Sequence, residues 1–272
     1  MSIVEFLPLG FAFLIGACVG SFLNVCIYRL PREISLLEPR SYCTNCGAFI
    51  PWHSNIPLVS WLLLRGRAPC CGARFSMRYW WVELLTATMF SASVWYFGPV
   101  AGAVYALFFS FLIVAFFTDV DFMIIPDGVN FGATGFAFLS SILMPSLHDV
   151  AGAWDAAVKS ATGAIVGAGS LLVIARLGTW MLKKDAMGMG DVKLMLAVGA
   201  MVGWKGALYT IGVGAIVGTI MGLATVVIQR KRLGAGIAIP FGPALIIASG
   251  LWLTGGREWW ERYFENFDFF AV

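Results

Sequence analysis

Apolar residues gather into eight stretches, at roughly 7–27, 80–97, 100–118, 129–147, 157–182, 192–203, 206–228 and 236–254, each bounded by charged residues or by Gly and Pro. One helix needs about 20 apolar residues to cross hydrocarbon. Lipid offers backbone groups no hydrogen-bond partners, so the pattern predicts α-helices and not open strands. The sixth stretch is short and rich in glycine, and its junction with the seventh falls around Gly203-Trp204-Lys205. Segment 28–79 breaks the pattern with seven arginines, four cysteines and several Pro and Gly. It reads as a small subdomain outside the membrane.

Composition supports this reading. The 272 residues are 60% hydrophobic and only 12% charged, about half the charged fraction of a soluble domain. Disorder and a disulfide-rich secreted scaffold are excluded. A net charge of +3 is too small a surplus for a nucleic-acid binder. Met1 to Gly10 has no basic start, carries Glu5 and runs directly into the first apolar stretch, so it reads as a retained span and not a signal peptide.

Orientation follows from where the basic residues sit, because Lys and Arg are retained in cytoplasmic loops. With eight spans and both termini outside, segment 28–79, the loop of Lys183, Lys184 and Lys193, and Arg230-Lys231-Arg232 share the inner side. Together they hold thirteen of the 18 Lys and Arg. The expected fold is therefore all-α, a polytopic membrane protein with about eight transmembrane helices and a cytoplasmic cysteine-containing loop subdomain. Its expected parts are 1–79 (first span plus Cys-rich loop), 80–256 (helical membrane domain) and 257–272, an aromatic tail suited to the outer interface.

The chain has 15 acidic residues, and an ionisable group at membrane depth is costly enough to suggest function. Asp119, in Thr118-Asp119-Val120-Asp121, ends the third span, and Asp191, in Gly188-Met189-Gly190-Asp191, opens the sixth. The topology puts both at the inner edge of the bilayer. Two carboxylates held close in a poorly solvated pocket divide the labour of acid and base, one keeping a proton while the other activates water. Gly188 and Gly190, lacking Cβ, would let an extended peptide approach Asp191. The blander alternative makes Asp191 a helix cap after a glycine turn, Asp127 a cap of the fourth span, and Asp121 a loop residue or a neighbour of Asp119.

Cys43-Thr44-Asn45-Cys46 is followed by Cys70-Cys71 with 23 residues between Cys46 and Cys70. In a reducing loop, Cys43, Cys46, Cys70 and Cys71 read as a tetrahedral zinc site. A redox CxxC pair or unmetallated thiols are the alternatives, and His53 is a reserve ligand. Cys18 and Cys26, within the first span, read as small buried apolar residues, and His148 is given no role.

Gly16 to Pro31, the cysteine loop running into Asn55-Ile56-Pro57-Leu58-Val59-Ser60-Trp61, residues Asp119 to Asp127, and Gly188-Met-Gly190-Asp191-Val-Lys193 together resemble the bacterial type IV prepilin peptidases, in order and over nearly the whole chain. The resemblance implies a GxGD-type membrane aspartic peptidase with Asp119 and Asp191 as its catalytic pair. It also implies cleavage of the basic leader of type IV prepilins or type II secretion pseudopilins on the cytoplasmic face of the bacterial inner membrane. N-methylation of the new terminus with S-adenosylmethionine would follow. The family's cysteines usually form two CxxC pairs associated with zinc, whereas here Ala68 holds the expected third position and Cys70 sits beside Cys71. A basic leader invites Asp121, Asp127 or Asp185 as its contacts. A proton-coupled transporter or a non-catalytic scaffold would also use some of these residues, but neither explains why a GxGD aspartate and a second aspartate share one side.

Overall fold

A computed structural model describes residues 3–37, 42–43, 45–183, 187–228 and 240–264. Asp185, Lys184, Arg40, Arg230 to Arg232 and the end of the aromatic tail from Glu265 onward lie outside them. Among the described residues the chain is helical without strands, having only the isolated bridges Tyr42–Phe49 and Arg67–Arg74. The helices are α1 (Ile3–Arg29), α2 (Val59–Leu63), α3 (Arg78–Phe97), α4 (Pro99–Phe122), α5 (Asp127–Leu143), α6 (Ala153–Leu182), α7 (Met189–Ile228), α8 (Gly242–Leu251) and α9 (Arg257–Phe264). Four segments are long and apolar enough to cross a membrane: Phe6–Arg32, Pro99–Phe122, Ala153–Leu182 and Met189–Ile228.

The chain divides into two units, Met1–Val114 and Ala115–Val272, with the boundary inside α4. In the first unit α1 lies against α3 through a small-residue stripe. A Cβ on Gly16 would sit 2.8 Å from Ala87 Cα, and one on Gly20 would sit 2.7 Å from Glu83 Cα. This is the close backbone approach that Gly-x-x-x-Gly permits where no hydrophobic force between helices exists. Ala12, Phe90 and Ala106 form a buried cluster beside it. Cys26 is buried as expected, but Cys18 is exposed on the outer face of α1, where a small apolar thiol suits lipid.

In the second unit α6 packs on α7 through Gly163 and Gly199, whose backbones touch. α7 is broken at Gly203, which has φ 73° and ψ 177°, a conformation that costs glycine little and other residues much. The chain turns back there. Ile125 abuts Gly190 near the start of α7, while past the break Gly206 meets Trp252, Gly214 meets Leu245 and Gly218 meets Phe241. Residues 204–228 thus run antiparallel to α8 and return toward the end that carries Gly190. The break falls at the expected junction of the sixth and seventh stretches. The last stretch, expected over 236–254, is α-helical only from Gly242 among the described residues, because Pro243 favours a helix start there.

Candidate functional site

Asp119 and Asp191 come together in the second unit. Asp119 lies in the last turn of α4, 6% exposed, and Asp191 in the first turn of α7, 8% exposed. Asp191 lies within reach of the Asp119 charge. Asp119 Oδ2 accepts a hydrogen bond from the backbone N–H of Gly242 at 3.1 Å. No partner donates to Asp191 among the described residues, so its carboxylate is left to its neighbour and to whatever enters.

Local chemistry positions each residue. Past Asp119, α4 ends with Met123 in the left-handed region at φ 54°, its N–H closing on the Asp119 carbonyl at 2.9 Å. Pro126 then starts α5. Between them Ile125 is buried, touching Gly190 on one side and Gly242 on the other. From α5, Asn130 is fully buried and donates to the Gly190 carbonyl at 3.4 Å, its own Oδ1 having no partner among the described residues. Asp191 is the third residue of α7 and not the residue before it, so the cap reading of Asp191 does not describe its place.

Asp127 is the first residue of α5, and Pro126 holds the cap position. Its carboxylate instead takes Lys193 Nζ at 2.7 and 2.8 Å, tying the starts of α5 and α7 at the surface. A Cβ on Gly188 would have only Asp191 Oδ2 and the Gly190 amide near it, at 3.9 and 4.0 Å, so the approach there is open. A Cβ on Gly190 would meet Ile125 at 3.5 Å. Gly242, Ile125 and Asn130 carry no signal in the sequence for these roles, and Lys193 was marked only by its charge and its place after Asp191. Nothing in the local sequence around Gly242 says which carboxylate its amide meets.

The first unit holds the cysteines. The Sγ atoms of Cys43, Cys46, Cys70 and Cys71 all lie within 4.8 Å of one another, with 3.7 Å between Cys43 and Cys71 and 3.3 Å between Cys46 and Cys70. None is in a disulfide. Four thiolates around zinc at bonds of about 2.3 Å stand some 3.8 Å apart, so the cluster fits the metal in number and spacing.

Two similar turns build it. Cys43 N–H donates to Ala48 and Gly47 N–H to Cys43, each at 2.8 Å, and Ala68 N–H donates to Ala73 and Gly72 N–H to Ala68, each also at 2.8 Å. Ala68 therefore occupies in the second turn the place of Cys43 in the first, and Cys70 supplies the thiol that Ala68 lacks. Backbone N–H groups of Cys46 and then Asn45 lower the Cys43 thiol to about 6, whereas the neighbouring Cys46 raises Cys70 to about 12. His53 is not in the cluster and stands edge-on to Trp52 at 5.8 Å.

Two family models match the chain in succession. Residues 14–97 match the Bacterial Peptidase A24 N-terminal domain, and residues 106–223 match the Type IV leader peptidase family. A relative from Stutzerimonas stutzeri is 35% identical over 298 residues, covering 97% of this chain and 99% of its own. The chain belongs to the type IV leader peptidase family. That relative is called a prepilin leader peptidase/N-methyltransferase, as are those from Legionella pneumophila (34% identical, 92% of this chain and 93% of the relative) and Myxococcus xanthus (38% identical, 79% and 63%). The chain thus spans less than two thirds of the Myxococcus protein's length. No solved structure matches. Both Asp119 and Asp191 fall inside the segment that matches the leader peptidase family, and all four cysteines fall inside the N-terminal match.

Proposed function

We propose that this family member is a membrane aspartic endopeptidase that removes the basic leader of type IV prepilins or type II secretion pseudopilins, and then methylates the new N-terminal amine. The observation that carries the reading is the meeting of two buried carboxylates, Asp119 and Asp191, at the ends of two membrane helices. In such a pair one carboxyl holds the proton and the other draws a proton from water as it attacks the peptide carbonyl. The protonated partner donates to the oxyanion that forms, and proton return to the departing amine completes hydrolysis.

Gly242 holds Asp119 in place, while Asn130 and Ile125 fix the turn that carries Gly190 and Asp191. The open space over Gly188 accommodates an extended substrate backbone. The arginines of 28–79, together with Lys183 and, near the start of α7, Lys193, support a cytoplasmic position for the aspartate pair in the inner membrane, since Lys and Arg are retained in cytoplasmic loops. There the leader of a substrate whose apolar helix lies in the bilayer would be presented. We assign peptide cleavage to 80–256, and zinc binding by Cys43, Cys46, Cys70 and Cys71 to 1–79, where zinc would brace the two turns. S-adenosylmethionine supplies an electrophilic methyl group, which the deprotonated terminal amine accepts, releasing the donor as a thioether.

The test is to incubate the purified full-length protein in detergent with a prepilin, with and without S-adenosylmethionine, and to weigh the product by mass spectrometry. Loss of the leader mass together with a donor-dependent methyl increment is expected. An intact prepilin after prolonged incubation with zinc-replete protein would remove the peptidase reading.

A further inference from the structure

A cavity of about 210 Å³ lies in the first unit, walled by α1, the cysteine loop, α2 and the start of α3. Its lining combines aromatic rings with one carboxylate and one guanidinium. Trp61 and Trp80 stand with ring centres 6.4 Å apart, and both have indole N–H groups that are buried without a hydrogen-bond partner among the described residues. Tyr28 and Tyr42 add further faces, and Arg29, buried on α1, lies 5.8 Å from the Tyr42 ring.

Glu83 organises this wall. It accepts the Leu58 N–H at 2.7 Å and a hydrogen bond from Ser21, so one side chain joins α3, α1 and the cap of α2. Leu58 itself has φ 62° and ψ −46°, and Val59 N–H reaches the Pro57 carbonyl at 2.7 Å. That is a γ-turn of the strained kind. Strained backbone of this type is retained where surrounding contacts enforce it, commonly beside ligands.

The chemistry of the wall selects among ligands. A phosphate group would face Glu83. An acyl chain would bury Asn24, Ser60 and Glu83 against hydrocarbon. A metal would find one carboxylate and the Cys43 thiol that the four-cysteine cluster already claims. A planar base beside a cation with an amino-acid tail satisfies the site: aromatic faces attract onium groups, Glu83 matches a positive centre, and Arg29 matches a carboxylate.

We propose that this cavity binds the methyl donor, an adenosyl sulfonium, with Glu83 beside its cationic part and Trp61 and Trp80 flanking it. This rests on the methyl-transfer reading above and gives it a location.

The test uses the full-length, zinc-replete protein. Tritiated S-adenosylmethionine is cross-linked by ultraviolet light, and the labelled peptides are mapped by mass spectrometry. Label is expected in peptides carrying Trp61, Tyr79 or Trp80. Label confined to residues 115–272, in protein that methylates, would overturn the cavity assignment while leaving methyl transfer standing.

In parallel, equilibrium dialysis compares S-adenosylmethionine with the neutral S-adenosylhomocysteine on wild type, Glu83→Gln and Trp80→Phe. Gln keeps an oxygen for the Leu58 amide, and zinc content reports whether the unit has folded. Glu83→Gln is expected to weaken the sulfonium at least about tenfold and the thioether less. Unchanged affinity for both ligands in both variants overturns the assignment. Wild-type protein that cuts the leader but neither binds nor transfers methyl overturns it together with the methyltransferase reading.

Discussion

The amide of Gly242 donates to Oδ2 of Asp119 at 3.1 Å, across 123 positions of sequence. A Cβ on Gly242 would stand 2.7 Å from that same oxygen, so Gly242→Ala must move the carboxylate or the start of α8. Misplacement of a catalytic group by about 1 Å costs roughly 100-fold in rate. Gly242→Ala is expected to lower leader cleavage by about that factor with normal membrane insertion, read as the initial rate on a purified prepilin.

Asp119→Asn and Asp191→Asn remove the two groups that exchange the proton in the proposed mechanism. Each is expected to reduce cleavage by at least about 1000-fold, and the double variant is expected to be no worse than the singles, because the pair acts as a unit. Methylation of a substrate supplied already cleaved is expected to persist. Rapid processing by either Asn variant in a single-turnover assay would contradict the assignment.

The aspartate pairing was legible because two features converged in the sequence: a Gly-x-Gly-Asp turn opening a span, and basic segments that put Asp119 on the same side. Gly203 was also legible as a junction, since glycine beside Trp204 and Lys205 interrupts an apolar run. Gly242 and Asn130 were not, because their roles depend on where α8 and α5 dock and not on local pattern. Asp127 misled for a related reason. Its position after Pro126 suits a cap, yet Lys193, delivered by α7, takes the carboxylate. The second cysteine turn was hard to read because Ala68 occupies a ligand position in the backbone while Cys70 supplies the sulfur.

That substitution invites its own experiment. The purified protein is expected to hold one zinc per chain by elemental analysis. Cys71→Ser and Cys43→Ser should each lower that content and the melting temperature, as should prolonged chelation. Ala68→Cys combined with Cys70→Ala restores regular spacing in the second turn and is expected to keep one zinc per chain. Loss of metal in that double variant would mean that the two turns are not equivalent.

His148 sits 8% exposed between α5 and α6, its Nε2 within 2.9 Å of Ser141 Oγ. Burial, and then the Lys159 ammonium, hold its pKa below the ordinary 6.5, with Asp149 and the Ala200 carbonyl opposing and Arg257 adding to the depression. The unfolded chain therefore binds a proton more readily than the folded one. The stabilising contribution is complete above about 6.5 and is lost as pH falls from there toward the folded value. The melting temperature is expected to drop between about pH 7 and pH 5, with a shallower slope in His148→Gln.

The reversal at Gly203 also bears on how the chain enters a bilayer. From Met189 to the break only a short run of helix is available, about 21 Å at 1.5 Å per residue, less than the hydrocarbon thickness of about 30 Å. By itself that run would be a poor substrate for the insertion machinery, and Asp191 near its start makes it poorer still. Partitioning as a hairpin with the longer, more apolar leg after Gly203 supplies what it lacks. Asp191 is thus carried to its depth by the helical leg that follows the break.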